Sequence, residues 1–220
     1  MGYTLNFSAV WRGFDHLLEG LGLSLMLAFA AILIGCVIGL ATAFTLESRS
    51  RFRKTLARAY VTSIRNTPIL VLILFTYFAL PQLGIRFGKI ESFILTLAVY
   101  SGAYLAEVFR SGLVTMPKGM REAGLAIGLT EFQIRTSIII PIMFRNVLPS
   151  LGSTFISLFK DTSLAAAIAV PELTFQARKI NNESFRVVET WMVASCLYVG
   201  TCTVLASFLR VLERRLAIPR

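Results

Sequence analysis

The run from Leu21 to Phe44 carries no charged residue, and it restricts the chain more than any other stretch. A bilayer core is crossed by about 20 apolar residues in a helix, so a run of this length spans it with some tilt. Further apolar runs, each interrupted by one or two charges, lie at about residues 60–80, 91–109, 141–159 and 187–209. The chain is therefore predicted to be an all-α integral membrane protein, one domain over 1–220 with five spans. The overall balance agrees, with 55% hydrophobic residues and a mean hydropathy of +0.71. Gly35-x3-Gly39 in the first run has the small-residue spacing that lets two membrane helices approach closely.

The net charge of +10 is a value that often points to nucleic acid. Here the basic residues fall between apolar runs and form no face with interleaved aromatics, which excludes that partner. They read as topology signals instead. Arg49, Arg51, Arg53, Lys54 and Arg58 follow the first run; Arg110, Lys118, Arg121, Arg135 and Arg145 surround the loop after the third. Arg210, Arg214, Arg215 and Arg220 end the chain. Together they make up roughly two-thirds of the Lys and Arg, so these segments are expected in the cytoplasm, with the N-terminus outside and the C-terminus inside. No cleavable signal peptide is expected, because the N-terminus lacks a basic leader. Phe7, Val10, Trp11, Phe14, Leu17 and Leu18 recur at helical spacing, so this helix either lies in the membrane interface or packs on the bundle.

Little in the chain supports chemistry. Cys36, Cys196 and Cys202 fall in apolar runs without metal-ligand spacing, and His16 has no ligand cluster, so neither a disulfide framework nor a metal site is expected. No phosphate-binding loop occurs; Gly84 to Ile90 has the wrong spacing and lacks the hydroxyl for magnesium. Polar groups do occur in or beside the spans. They are Ile64-Arg65-Asn66-Thr67-Pro68 at a kink-prone span start, Ser101, Tyr104 and Glu107 at helical spacing, and Thr154 seven residues before Asp161. Such groups are expected to face protein or a cavity. Asp161 needs a partner, which could be a ligand ammonium, Lys160 or Arg65. Pro149 marks a kink point in the fourth span, and the apolar run 164–170 is too short to cross, so residues 164–179 read as a short helix and loop packed on the outer side.

Between the third and fourth spans lies a polar, glycine-rich interlude, residues 110–140. Pro117 suits a helix start. Met120, Ala123, Gly124 and Ile127 then form an apolar stripe on a helix of about three turns. Gly128 stands where a left-handed C-terminal residue belongs, and Thr130 with Gln133 reads as a capping box that opens the next helix. So short a helix is unstable alone and needs a partner for its stripe.

Glu122-Ala123-Gly124-x3-Gly128-x9-Ile138-x-Ile140-Pro141 resembles the EAA loop of ABC importer permeases, E-A-A-x3-G-x9-I-x-L-P, with Gly124 and Ile140 as conservative departures. Gly20-Leu21-x-Leu23-Ser24, residues 64–68, Ser101-x2-Tyr104-x2-Glu107-x2-Arg110 and Lys160-Asp161-Thr162-Ser163-Leu164 are similar to the polar amino acid subgroup. The resemblance implies five helices of the type I importer permease fold with a cytoplasmic coupling helix, in a bacterial inner membrane. It further implies a second permease subunit, cytoplasmic ATPases that carry the ATP and magnesium, and an external solute-binding protein. This chain would bind no cofactor. Met120, Glu122, Ala123, Gly124, Ile127 and Gly128 would couple to the ATPase; Ser101, Tyr104, Thr154 and Asp161 would line the path of a polar amino acid. Two rivals remain, an ion-driven carrier, for which no internal repeat is evident, and a membrane anchor that recruits an ATPase without transporting.

Overall fold

The computed structural model describes residues 3–48 and 50–216, and the regular elements in them are helical. Arg49 and Arg220, counted above among the inner charges, lie outside the described residues. Four helices among the described residues are long and apolar enough to cross a membrane, or five if one bent pair counts as a span.

The N-terminal amphipathic segment divides at Gly13 into α1 (Ser8–Arg12) and the start of α2 (Phe14–Leu46). Of the two placements open from sequence, packing is the one adopted. Val10 and Leu17 are fully buried against Leu173, Ala177 and Ala194, while Trp11 remains exposed.

The centre of the bundle is the pairing of α2 with α5 (Lys89–Val114), and the glycine pair of α2 explains it. A Cβ on Gly39 would lie 2.8 Å from Leu105 Cβ and 3.0 Å from the Ala106 backbone nitrogen, and one on Gly35 would collide with Ser101 Oγ. Only hydrogen at those two positions lets the backbones meet this closely. Phe93 and Leu97 of α5 join Leu27 and Ala31 of α2 in the largest apolar cluster.

The expected span at 60–80 starts earlier and is broken. α3 (Arg51–Arg65) takes up most of the basic loop as helix, and α4 (Ile69–Leu74) leaves it at 101°. Pro68 disfavours helix at Thr67, and local side chains hydrogen-bond the last carbonyls of α3. Asn66 Nδ2 donates to Thr62 O at 2.8 Å and Thr67 Oγ1 to Ser63 O at 2.8 Å. A π-helical stretch, Phe75–Ala79, and a 3-10 turn, Leu80–Leu83, complete the segment.

Pro141 does not mark a helix boundary. After the interlude the helix runs from α7 (Glu131–Gln133) through a π-helical stretch, Ile134–Ile139, into α8 (Ile140–Asp161), with Pro149 inside it. The widened turn ahead of Pro141 accommodates a ring that removes one donor. A 3-10 segment, Thr162–Ile168, and α9 (Leu173–Ser184) then pack against α2 and the final helix, α10 (Val187–Leu216).

Candidate functional site

Two places combine polar groups with exposed surface. The first is the interlude. α6 (Lys118–Ala126) is nine residues long and is fastened at its C-terminal end by backbone geometry. Gly128 has φ +82, its N–H donates to Leu125 O at 3.0 Å, and the Leu129 N–H reaches Gly124 O at 3.0 Å. These are the paired bonds of a Schellman turn. The capping box follows at once, with Gln133 N–H on Thr130 Oγ1 at 3.3 Å and Thr130 N–H on Gln133 Oε1 at 2.9 Å. Arg121 closes the hairpin with a two-pronged ion pair to Glu131, its Nε lying 3.2 Å from Oε2.

This fastening divides the expected stripe between two faces. Gly124 is buried under Ile134, and Met120 turns inward to line a cleft of about 1020 Å³ between the hairpin and the ends of α2 and α5. Ala123 and Ile127 point away, Ile127 being 76% exposed, and Phe132, past the turn, is 75% exposed. Glu122 is also exposed, and it is its neighbour Arg121 that ties the loop together. The inward half of the stripe is used within the chain because nine residues cannot hold a helix without such support.

The second place is a polar cluster at the break between α3 and α4. The Arg65 guanidinium lies over the Tyr104 ring at 5.1 Å. The Tyr100 and Tyr104 rings lie 4.7 Å apart, tilted by 42°, with their hydroxyls 3.2 Å apart. Asp161, at the end of α8, stands within electrostatic reach of Tyr100, and forms no ion pair with Lys160 or Arg65 among the described residues. Thr154 shares the helix with Asp161, and its hydroxyl donates back to Ser150 O at 2.8 Å. Glu107 and Arg110 form an ion pair at 2.7 Å.

Ser101 sits apart from that cluster. It is fully buried, and its Oγ lies 3.2 Å from Ala31 O and 3.1 Å from Ala98 O, where it helps to seal α2 to α5. The i, i+3 spacing that placed it with Tyr104 does not distinguish two adjacent faces of one helix. Tyr100, absent from the sequence expectations, enters the cluster through the same i, i+4 geometry that any helix offers. No group of three or more metal-ligating side chains occurs among the described residues.

A helical bundle with several spans, a stiff hairpin at one end and opposed charges at a broken helix defines a class, the membrane-embedded components of transport systems. The chain belongs to the family of binding-protein-dependent transport system inner membrane components, which matches it over residues 31–218. It is 37% identical over 215 residues to the glutamine transport system permease protein GlnP of Escherichia coli K12, covering 97% of this chain and 98% of that one. With the L-cystine transport system permease protein TcyB of Bacillus subtilis it shares 31% identity over 218 residues, 98% of this chain and 93% of the other. A crystal structure of an amino acid ABC transporter with histidines superposes with a TM-score of 0.87 at 31% identity, covering 97% of this chain and 100% of that chain. The MetNI methionine transporter, at 19% identity and a TM-score of 0.78 over 93% of this chain and 98% of its own, shares the fold. Membership places the chain in an inner membrane with several passes.

Proposed function

We propose that this chain is the permease subunit of an ATP-driven importer of polar amino acids in a bacterial cytoplasmic membrane, with its N-terminus outside and its C-terminus inside. It forms half of the pathway with a second permease, identical or homologous, and receives ligand from an external solute-binding protein. Cytoplasmic ATPase subunits hold the ATP and magnesium, and this chain binds no cofactor.

The observation that carries this reading is the two-sided hairpin. α6 is fixed to its own chain through Gly124, Arg121 and the Thr130 cap, yet it presents Ala123, Ile127 and Phe132 to solvent. An apolar edge on a stiff mount suits insertion into a groove of a partner, and it converts movement of that partner into tilting of α5 and α8. The charge bias around the hairpin supports a cytosolic position.

The second cluster supports the ligand class. Arg65 offers a cation for a carboxylate, Asp161 an anion for an ammonium, and Tyr100 with Tyr104 an aromatic wall between them. That arrangement complements a zwitterion. Thr154, a hydroxyl on the same helical face as Asp161, suits a neutral polar side chain better than a cationic one. The relatives named for glutamine and cystine transport agree with this choice.

The test is reconstitution with the ATPase and the binding protein. Ligand-loaded binding protein should stimulate ATP turnover, and Ile127→Glu should reduce recovery of the ATPase with the permease about tenfold, as for a buried interface anchor. Equal recovery and coupling in Ile127→Glu would remove the hairpin from the interface. Uptake that stops with an ionophore but survives ATP depletion would make the protein an ion-driven carrier.

A further inference from the structure

Two carboxylates in the described structure are completely buried, Glu172 and Glu189. Glu189 has a cation beside it, Arg186 at 3.5 Å, and also receives the Asn6 N–H at 2.8 Å. Glu172 has no such partner. Its carboxyl accepts the N–H groups of Thr174 at 2.9 Å and Phe175 at 2.8 Å, the Tyr198 hydroxyl at 3.1 Å and the Ser24 hydroxyl at 3.4 Å. One side chain thus joins the first turn of α9 to α10 and α2. All four donors are neutral, and no Lys, Arg or His contributes to its electrostatics. Tyr198 from α10 is its one titratable contact; α2 brings Ser24, α9 brings Thr174, and the Thr162–Ile168 segment packed on α9 has no charged residue.

A carboxylate buried without a cation is costly, and burial here pushes Glu172 up to about 7 despite its donors. The surrounding hydrogen bonds accept either protonation state. Thr174 Oγ1 and Tyr198 Oη are 2.9 Å apart and either can donate. With Glu172 charged, the order is Thr174 to Tyr198 to Glu172. With Glu172 protonated, it reverses, Glu172 donating to Tyr198 and Tyr198 to Thr174. The number of bonds is unchanged, so the neutral form loses only the buried charge.

α9 lies at the end of the bundle away from the hairpin, against the first halves of α2 and α10. The turn before it is held to α5 by Lys89 Nζ on Ala169 O at 2.8 Å, and the segment preceding that turn begins directly after Asp161. A short, continuous stretch of chain therefore joins α9 to Asp161 of the polar cluster.

We propose that Glu172, with Tyr198 and Thr174, is a proton-responsive latch, holding α9 down across α2 and α10 when neutral and easing its release when charged, so that acid on that side brakes transport. The sign follows from where the proton binds more tightly. Closed α9 holds the proton up to about 7, whereas a hydrated carboxyl releases it near 4.5. Closure is therefore favoured fully below the lower value and progressively lost as pH rises through the higher one. With those two values, opening is about tenfold easier at about pH 8 than at about pH 6. Lifting of α9 is a property of this chain, and only its effect on uptake depends on the transport role proposed above.

The assembled transporter in lipid is tested at both pH values by amide exchange of residues 173–177, corrected for the intrinsic pH dependence of exchange, and by uptake against external pH. The expected result is about tenfold weaker protection at the higher pH in the wild type. Uptake should rise over the same range, and Glu172→Gln should be flat in both measurements. A wild-type profile without the step overturns the latch and requires no variant to fold. So does a step that persists in Glu172→Gln; in a complex that transports, a step in exchange that uptake does not follow overturns the brake on transport. Failure of the wild type to take up any amino acid would instead sink the transport role, and the exchange step would still decide whether the latch exists.

Discussion

Replacing Gly128 by Ala isolates the backbone of the hairpin from its side chains. Gly128 has φ +82, and a Cβ placed on it meets nothing within 4 Å. The substitution therefore creates no clash, and its whole cost is that of holding an L-residue in the left-handed region, about 1–2 kcal/mol. That energy favours abandoning the turn, with the Gly128–Leu125 and Leu129–Gly124 bonds that close it. The population of the closed hairpin falls about 5- to 30-fold relative to open forms. A lever that is loose at its base transmits less, so transported ligand per ATP should fall while assembly persists. Gly119→Ala is the matched control. It adds the same methyl group in the first turn of α6, again with nothing within 4 Å, and at a position without positive φ. There the change carries no left-handed strain and leaves the turn after α6 untouched. Uptake and ATP turnover are measured together in proteoliposomes containing the complete transporter. The reasoning is refuted if Gly128→Ala keeps the wild-type ratio of ligand to ATP, or if Gly119→Ala lowers that ratio equally.

Gly39→Ala should lower the melting temperature of the detergent-solubilised permease, because the new Cβ would press on Leu105 Cβ at 2.8 Å and on backbone at 3.0 Å, a strain of about 1–3 kcal/mol. Gly22→Ala meets open space and should leave the melting temperature in place, so equal melting of the two variants would contradict the close α2–α5 contact. Asp161→Asn should raise the KM for uptake about tenfold or more while leaving melting unaltered, as expected for loss of a charged contact to ligand. Unchanged uptake kinetics in this variant would take Asp161 out of the pathway.

Much of this protein is legible without coordinates because a bilayer allows few solutions. Backbone groups must be satisfied within each segment, so an uncharged run such as Leu21 to Phe44 has to be helix. The hairpin signals are equally local. Proline before a helix, Gly128 after it and the Thr130–Gln133 box each act over a few residues, and their bonds form in the structure. The faces of these helices are another matter. Nothing near Ser101 in sequence places it against Gly35 while Tyr104 meets Arg65, and nothing near Met120 turns it inward while Ile127 stays out. Nothing local in the sequence marks Glu172, because glutamate after proline carries no strong capping signal and its burial depends on Ser24 and Tyr198 from remote helices. Local sequence determines that a segment is helical and where it stops, since those energies arise within a turn or two. Which side of it meets protein, ligand or lipid is settled only when the helices pack, because the partners that decide it lie far apart along the chain.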